Sequence, residues 1–82
     1  MATSKEMKYE IITRIGIVAT QTGGWNLELN RISWNGGEPK YDLRSWSADH
    51  QKMGKGVTLT EDNLRALSKV IAEEIAFLDS EE

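Results

Sequence analysis

The spacing of the hydrophobic residues changes at Thr60, and that change limits the possible folds more than any other feature. Beyond it, Leu64, Leu67, Ile71, Ile75 and Leu78 recur every three or four residues and so lie on one helix face. Thr60 is the natural N-cap, and Glu61 and Asp62 complement the positive end of the helix. Asn63 stands where a capping box would have Glu or Gln, so the box is imperfect. Before Thr60 the chain consists of β-branched and aromatic runs separated by Gly23-Gly24 and by Asn35-Gly36-Gly37. Asn-Gly marks a hairpin, because both central turn residues need positive φ.

Four strands follow from this punctuation: Tyr9 to Ala19, Trp25 to Trp34, Lys40 to Ser47, and a short Val57 to Leu59. Ile11, Ile15 and Ile17 are expected on one face of the first. In the third, Tyr41 and Leu43 share one face and Asp42, Arg44 and Trp46 the other. The second strand changes phase between Leu27/Leu29 and Ile32/Trp34. Either it bulges near Asn30, or its far end leaves the core sheet and exposes its aromatic. The fold class is therefore α+β: a four-stranded antiparallel meander followed by one C-terminal helix.

At 82 residues the chain is a single domain, residues 1–82, with 1–8 expected as a flexible N-terminus and 79–82 as a frayed acidic tail. A core this small is marginal, and without cysteine no disulfide reinforces it. The helix also carries more apolar surface than one sheet face covers. Val70, Phe77 and Leu78 are accordingly expected at the interface of a homodimer. The lack of cysteine fits a reducing cytoplasm, with nucleoid association a possible refinement. No apolar run is long enough to span a membrane, so no membrane partner is expected.

The net charge of −3 conceals a division. Residues 1–60 carry eight Lys/Arg against six Asp/Glu, and residues 61–82 carry two against seven. A polyanion responds to the local patch rather than to the total. Catalytic material is sparse. His50 stands alone in a polar loop and reads as solvent-exposed, and no Cys/His cluster is present to hold a metal. Gly54-Lys55-Gly56-Val57-Thr58 lacks the upstream glycine and the following Ser/Thr of a phosphate loop. No enzyme, cofactor or small-molecule substrate is expected.

Aromatics interleaved with bases are the positive signal. Trp34 closes a strand; Lys40, Arg44 and Trp46 share one face of the next; Lys52, Gly54, Lys55 and Gly56 form a basic, glycine-rich segment, and Arg14 joins the surface if its strand pairs suitably. Flat rings stack on unpaired bases, cations neutralise phosphates, and glycines let phosphate approach the backbone. Trp25, in phase with Leu27, reads as core, whereas Trp34 and Trp46 fit either core or surface. The partner this chemistry suits is single-stranded DNA, with RNA or a protein of the transcription or replication machinery as alternatives.

The stretch Tyr41-Asp42-Leu43-Arg44-Ser45-Trp46, then Lys52-Met53-Gly54-Lys55-Gly56-Val57-Thr58-Leu59-Thr60 and the helix through Leu64, Leu67 and Ile71, resembles the transcriptional positive cofactor four family, above all its bacterial YdbC-type members. The resemblance implies a curved four-stranded sheet with one helix across it, a homodimer, and single-stranded DNA bound along the strands. It puts the base-stacking aromatic on Trp34, the arginine on Arg44, the basic loop on Lys52 and Lys55, and the glycine on Gly56. The family's second aromatic falls on Ser47, whereas the tryptophan here is Trp46. The turn between Trp34 and Arg44 is one residue longer than the family pattern, and the basic loop about one shorter.

Overall fold

A computed structural model describes residues 8–81. Its elements are β1 (Tyr9–Thr20), a 3-10 turn (Thr22–Gly24), β2 (Asn26–Trp34), β3 (Lys40–Trp46), β4 (Met53–Leu59) and α1 (Glu61–Ser80). The strands form one antiparallel meander in the order β1-β2-β3-β4. Asn35 and Gly36 both take positive φ in the β2–β3 turn, the geometry Asn-Gly supplies. The N-terminal prediction falls mostly outside the described residues. Lys8, however, is tied to the β2–β3 turn: its N–H donates to Asn35 Oδ1 (3.2 Å) and its carbonyl accepts from the Asn35 N–H (2.6 Å).

An irregularity does lie beside Asn30, at the step from Arg14/Asn30 to Gly16/Leu29, but the extra residue is in β1 rather than β2. β2 pairs with β3 without a break from Asn26/Trp46 to Ile32/Lys40, so there is no bulge at Asn30 in that ladder. Three register shifts lie between β1 and β2, at Ile11/Thr13, Arg14/Gly16 and Ile17/Ala19, and one between β3 and β4, at Arg44/Trp46. Ile15 falls within one of them and does not continue a simple alternation with Ile11 and Ile17. Irregularities of this kind bend a strand and increase its twist, and this sheet curls strongly. Tyr9 pairs with Trp34 at one end of β2, and Trp46 pairs with Asn26 at the other. The Tyr9 ring nevertheless lies 5.6 Å from both indoles.

Curling buries the inner face, which carries Glu28, Asn30, Ile32, Asp42 and Trp46. The phase change in β2 therefore arises because its inward row (Glu28, Asn30, Ile32, Trp34) is partly polar. The outer face carries Leu29, Tyr41, Leu43 and Leu59. With Val18 and the helix residues Leu64, Leu67 and Ile71 it lines a groove of about 760 Å³.

Thr60 Oγ1 accepts the Asn63 N–H at 3.1 Å, as an N-cap should. No helix residue is buried. The helix continues through Asp79 and Ser80, which the sequence reading placed in a frayed tail. Ser80 Oγ donates to the Phe77 carbonyl (2.8 Å), and the Glu81 N–H donates to the Leu78 carbonyl (3.2 Å), closing the last turn.

Candidate nucleic-acid interface

The inner face of the curled sheet gathers most of the residues singled out by sequence. Directly opposed residues of an antiparallel pair point to the same side. Arg14 faces Asn30, which faces Asp42; Lys40 faces Ile32; Arg44 faces Glu28 on one side and Gly56 on the other. The condition set for Arg14 is thus met, and its side chain is exposed beside this face.

Arg44 does not reach outward for phosphate. Its Nε and Nη2 donate to Asp42 Oδ1 and Oδ2 at 2.6 and 2.8 Å, and Nη1 donates to the Gly54 carbonyl at 3.2 Å. Its side chain is 14% exposed and that of Asp42 is fully buried. A buried carboxylate requires a partner, and a bidentate guanidinium is the strongest available. The guanidinium also lies 5.0 Å from the centre of the Trp34 ring. Arg44 is therefore corrected from a phosphate ligand to the group that neutralises Asp42 and holds Trp34. Gly56 has a matching role: a Cβ there would collide with the Arg44 side chain and approach the Leu43 carbonyl oxygen to 2.6 Å. What the missing side chain makes room for is Arg44.

Trp46 is also corrected. It has no exposed surface, and the His50 ring stacks on it at 4.1 Å with planes 1° apart, so no base reaches it. His50, expected in solvent, is packed with Nε2 2.9 Å from Glu28 Oε1, at a φ of +63°. Burial alone would push the Glu28 carboxyl up. The hydrogen bonds from Asn30 and His50, with the charges of His50 and Arg14, outweigh burial and hold it below the usual value. Trp25 is half-buried at the end of the 3-10 turn rather than sealed in a core.

Trp34 remains half-buried and within reach of solvent. Its indole N–H is buried with no acceptor among the described residues, so it offers ring surface rather than a donor. Lys40, Lys52 and Lys55 are exposed, and none forms an ion pair with a described residue. The Lys52 backbone is fixed by Ser47: its N–H donates to Ser47 Oγ (3.0 Å) and its carbonyl accepts the Ser47 N–H (2.9 Å). Lys55 lies at the irregularity between the Arg44/Gly56 and Trp46/Met53 pairs. β4 begins at Met53, four residues before the expected start, because the glycine-rich segment pairs with β3 despite its low strand propensity.

Trp34, Lys40, Arg44, Lys52 and Lys55 all lie in a stretch that a protein-family model matches. The model of the transcriptional coactivator p15 (PC4) family matches residues 22–70. The chain belongs to this family. PC4 proteins bind nucleic acid without catalysing a reaction on it. The match spans β2, β3, β4 and the first half of α1, and leaves β1 outside. The chain is also 48% identical over 66 residues to an uncharacterised protein of Treponema pallidum (strain Nichols), an alignment covering 80% of this chain and 78% of that one.

Sequence reasoning did not single out Tyr9, Asp42 as the partner of Arg44, or the Glu28–His50 pair. Asp42 and Arg44 are two apart on one strand, so they share a face about 7 Å apart. That spacing was the available sign of an internal pair.

Proposed function

We propose that this PC4-family chain is a sequence-tolerant single-stranded DNA-binding protein that acts as a homodimer in transcription, replication or repair, without catalysis. The observation that carries this reading is Trp34, braced by Arg44, with Arg14 and Lys40 on the same sheet face and in no ion pair with a described residue. A ring presented in this way stacks on any base, and the cations take the flanking phosphates. Lys52, just before β4, and Lys55, within it, add two further exposed cations.

The dimer follows from the exposed apolar surface. Val70, Phe77 and Leu78 are 60%, 57% and 54% exposed in the single chain, alongside Ile71 and Ile75. A continuous bare stripe of this kind is an interface in waiting. A second copy laid against α1 and the outer groove covers it and leaves the inner face free.

Titration of the intrinsic fluorescence with oligothymidine tests the DNA reading. Trp34→Ala should weaken binding by about tenfold or more, the worth of one stacked base. Four cations per protomer on phosphates, at about 0.7 each, predict a log–log salt slope near −3 per protomer. Unchanged affinity in the variant, or salt-insensitive binding, overturns the reading. Competition with RNA of the same sequence separates the two nucleic acids.

A further inference from the structure

The arrangement of three rings carries one inference that deepens, and rests on, the nucleic-acid reading. Two stacking rings were expected from sequence, Trp34 and Trp46, and burial removes the second. Besides His50, the ring against it is Tyr9, whose centroid lies 5.6 Å from Trp46 at an interplanar angle of 53°, and 5.6 Å from Trp34 at 47°. Tyr9 itself is 38% exposed. It therefore presents aromatic surface where Trp46 was expected to, beside Trp34 and on the same face.

We propose that Tyr9 is the second base-contacting ring of the site, with Trp46 and His50 as the packed floor beneath it. Three observations support this placement. Tyr9 is directly paired with Trp34, so the two rings are held by one hydrogen-bonded ladder. Its end of β1 is anchored by the reciprocal hydrogen bonds between Lys8 and Asn35. The tilt between the Tyr9 and Trp34 rings leaves no parallel slot for a base to enter between them. Each ring instead offers its own outer face, so neighbouring bases lie splayed, one on each. Every base has a π-face, so the second ring adds affinity without sequence preference. Trp46 and His50, stacked in parallel, give Tyr9 a rigid support.

Affinity for oligothymidine, measured on the full chain, tests the assignment. Tyr9→Phe should bind as the wild type does. Tyr9→Leu keeps an apolar cover over Trp46 but offers no flat face, and should lose about tenfold in affinity. A urea midpoint for each variant separates loss of stacking from loss of fold. Photocrosslinking of the unmodified protein to an oligonucleotide carrying 5-iodouracil provides a second measurement that needs no variant. Adducts on both Tyr9 and Trp34 support the assignment. Adducts on Trp34 alone, or a leucine variant that binds as tightly as the phenylalanine one or more tightly, overturn it while leaving the nucleic-acid reading intact. A wild-type chain that binds no oligonucleotide overturns both.

Discussion

Removing the Arg44 guanidinium should unfold this protein more readily than any other single change on the inner face. The Arg44→Met variant retains most of the packed volume and removes both hydrogen bonds to Asp42. The Asp42 carboxylate then lies fully buried, with the Thr58 hydroxyl, 3.2 Å from Oδ2, as its remaining side-chain donor among the described residues. Breaking a buried pair from one side costs about 3–5 kcal/mol, because the surviving charge stays desolvated. For a small domain whose total stability is only about 5–15 kcal/mol, that is a large share. Replacing both partners has a different outcome. An Asp42→Leu, Arg44→Met double variant leaves no orphaned charge and should recover most of the loss, since an apolar pair of similar volume is often neutral. Urea denaturation of the wild type, both single variants and the double variant completes a double-mutant cycle. Protein concentration must be held constant, because the proposed dimer would make apparent stability depend on it. The expected coupling is about 2 kcal/mol or more. An Arg44→Met variant within about 1 kcal/mol of wild type, or additive single losses, would refute the argument: Arg44 would then be a mobile surface cation. The double variant also separates fold from function. It should be folded yet bind oligothymidine weakly, because Trp34 has lost its brace.

Gly56→Ala should destabilise by about 1–3 kcal/mol through overpacking, since the new Cβ meets the Leu43 carbonyl and Arg44, measurable as a lower urea midpoint. Thr60→Ala removes the oxygen that accepts the Asn63 N–H and should cost about 1 kcal/mol, read from helical circular dichroism on heating. Glu28 has a folded-state pKa below its ordinary value, so its contribution is fully present above about pH 4.5 and is lost as the pH falls through the lower folded value. The wild type should therefore lose its stability advantage over Glu28→Gln on acidification, and a difference between their urea midpoints that is constant with pH would count against the Glu28 network. Phe77→Glu, on the bare helix stripe, should shift the protein to a monomer in sedimentation, and an unchanged mass would remove Phe77 from the interface.

The limits of the sequence reading follow from what local patterns encode. The helix was legible because Leu64, Leu67, Ile71, Ile75 and Leu78 repeat with helical spacing, and Thr60 supplies its own start signal. The β2–β3 turn was legible because Asn-Gly specifies its own backbone. Alternation also placed Arg44 and Trp46 on one face, and the structure keeps them there. What alternation cannot encode is whether a face is open or closed. That depends on sheet curvature, to which three irregularities in β1 and one between β3 and β4 contribute, and of these only the shift at Gly16 has a sign in the sequence, an isolated glycine inside a strand. A flat sheet with these residues would display Arg44 and Trp46 to solvent, as a binding surface should. Curling brings Tyr9 over Trp46 and sets Arg44 against Asp42, so the same two residues become support. The distinction between Trp34 and Trp46 is therefore positional rather than chemical. Trp34 sits at the end of β2 beside the turn, where the curled sheet leaves a ring half-covered. Trp46 sits at the far end of β3, where the loop returning through His50 closes over it. Aromatics and cations on one strand face mark where the proposed site is built, and curvature decides which of them stay open to solvent.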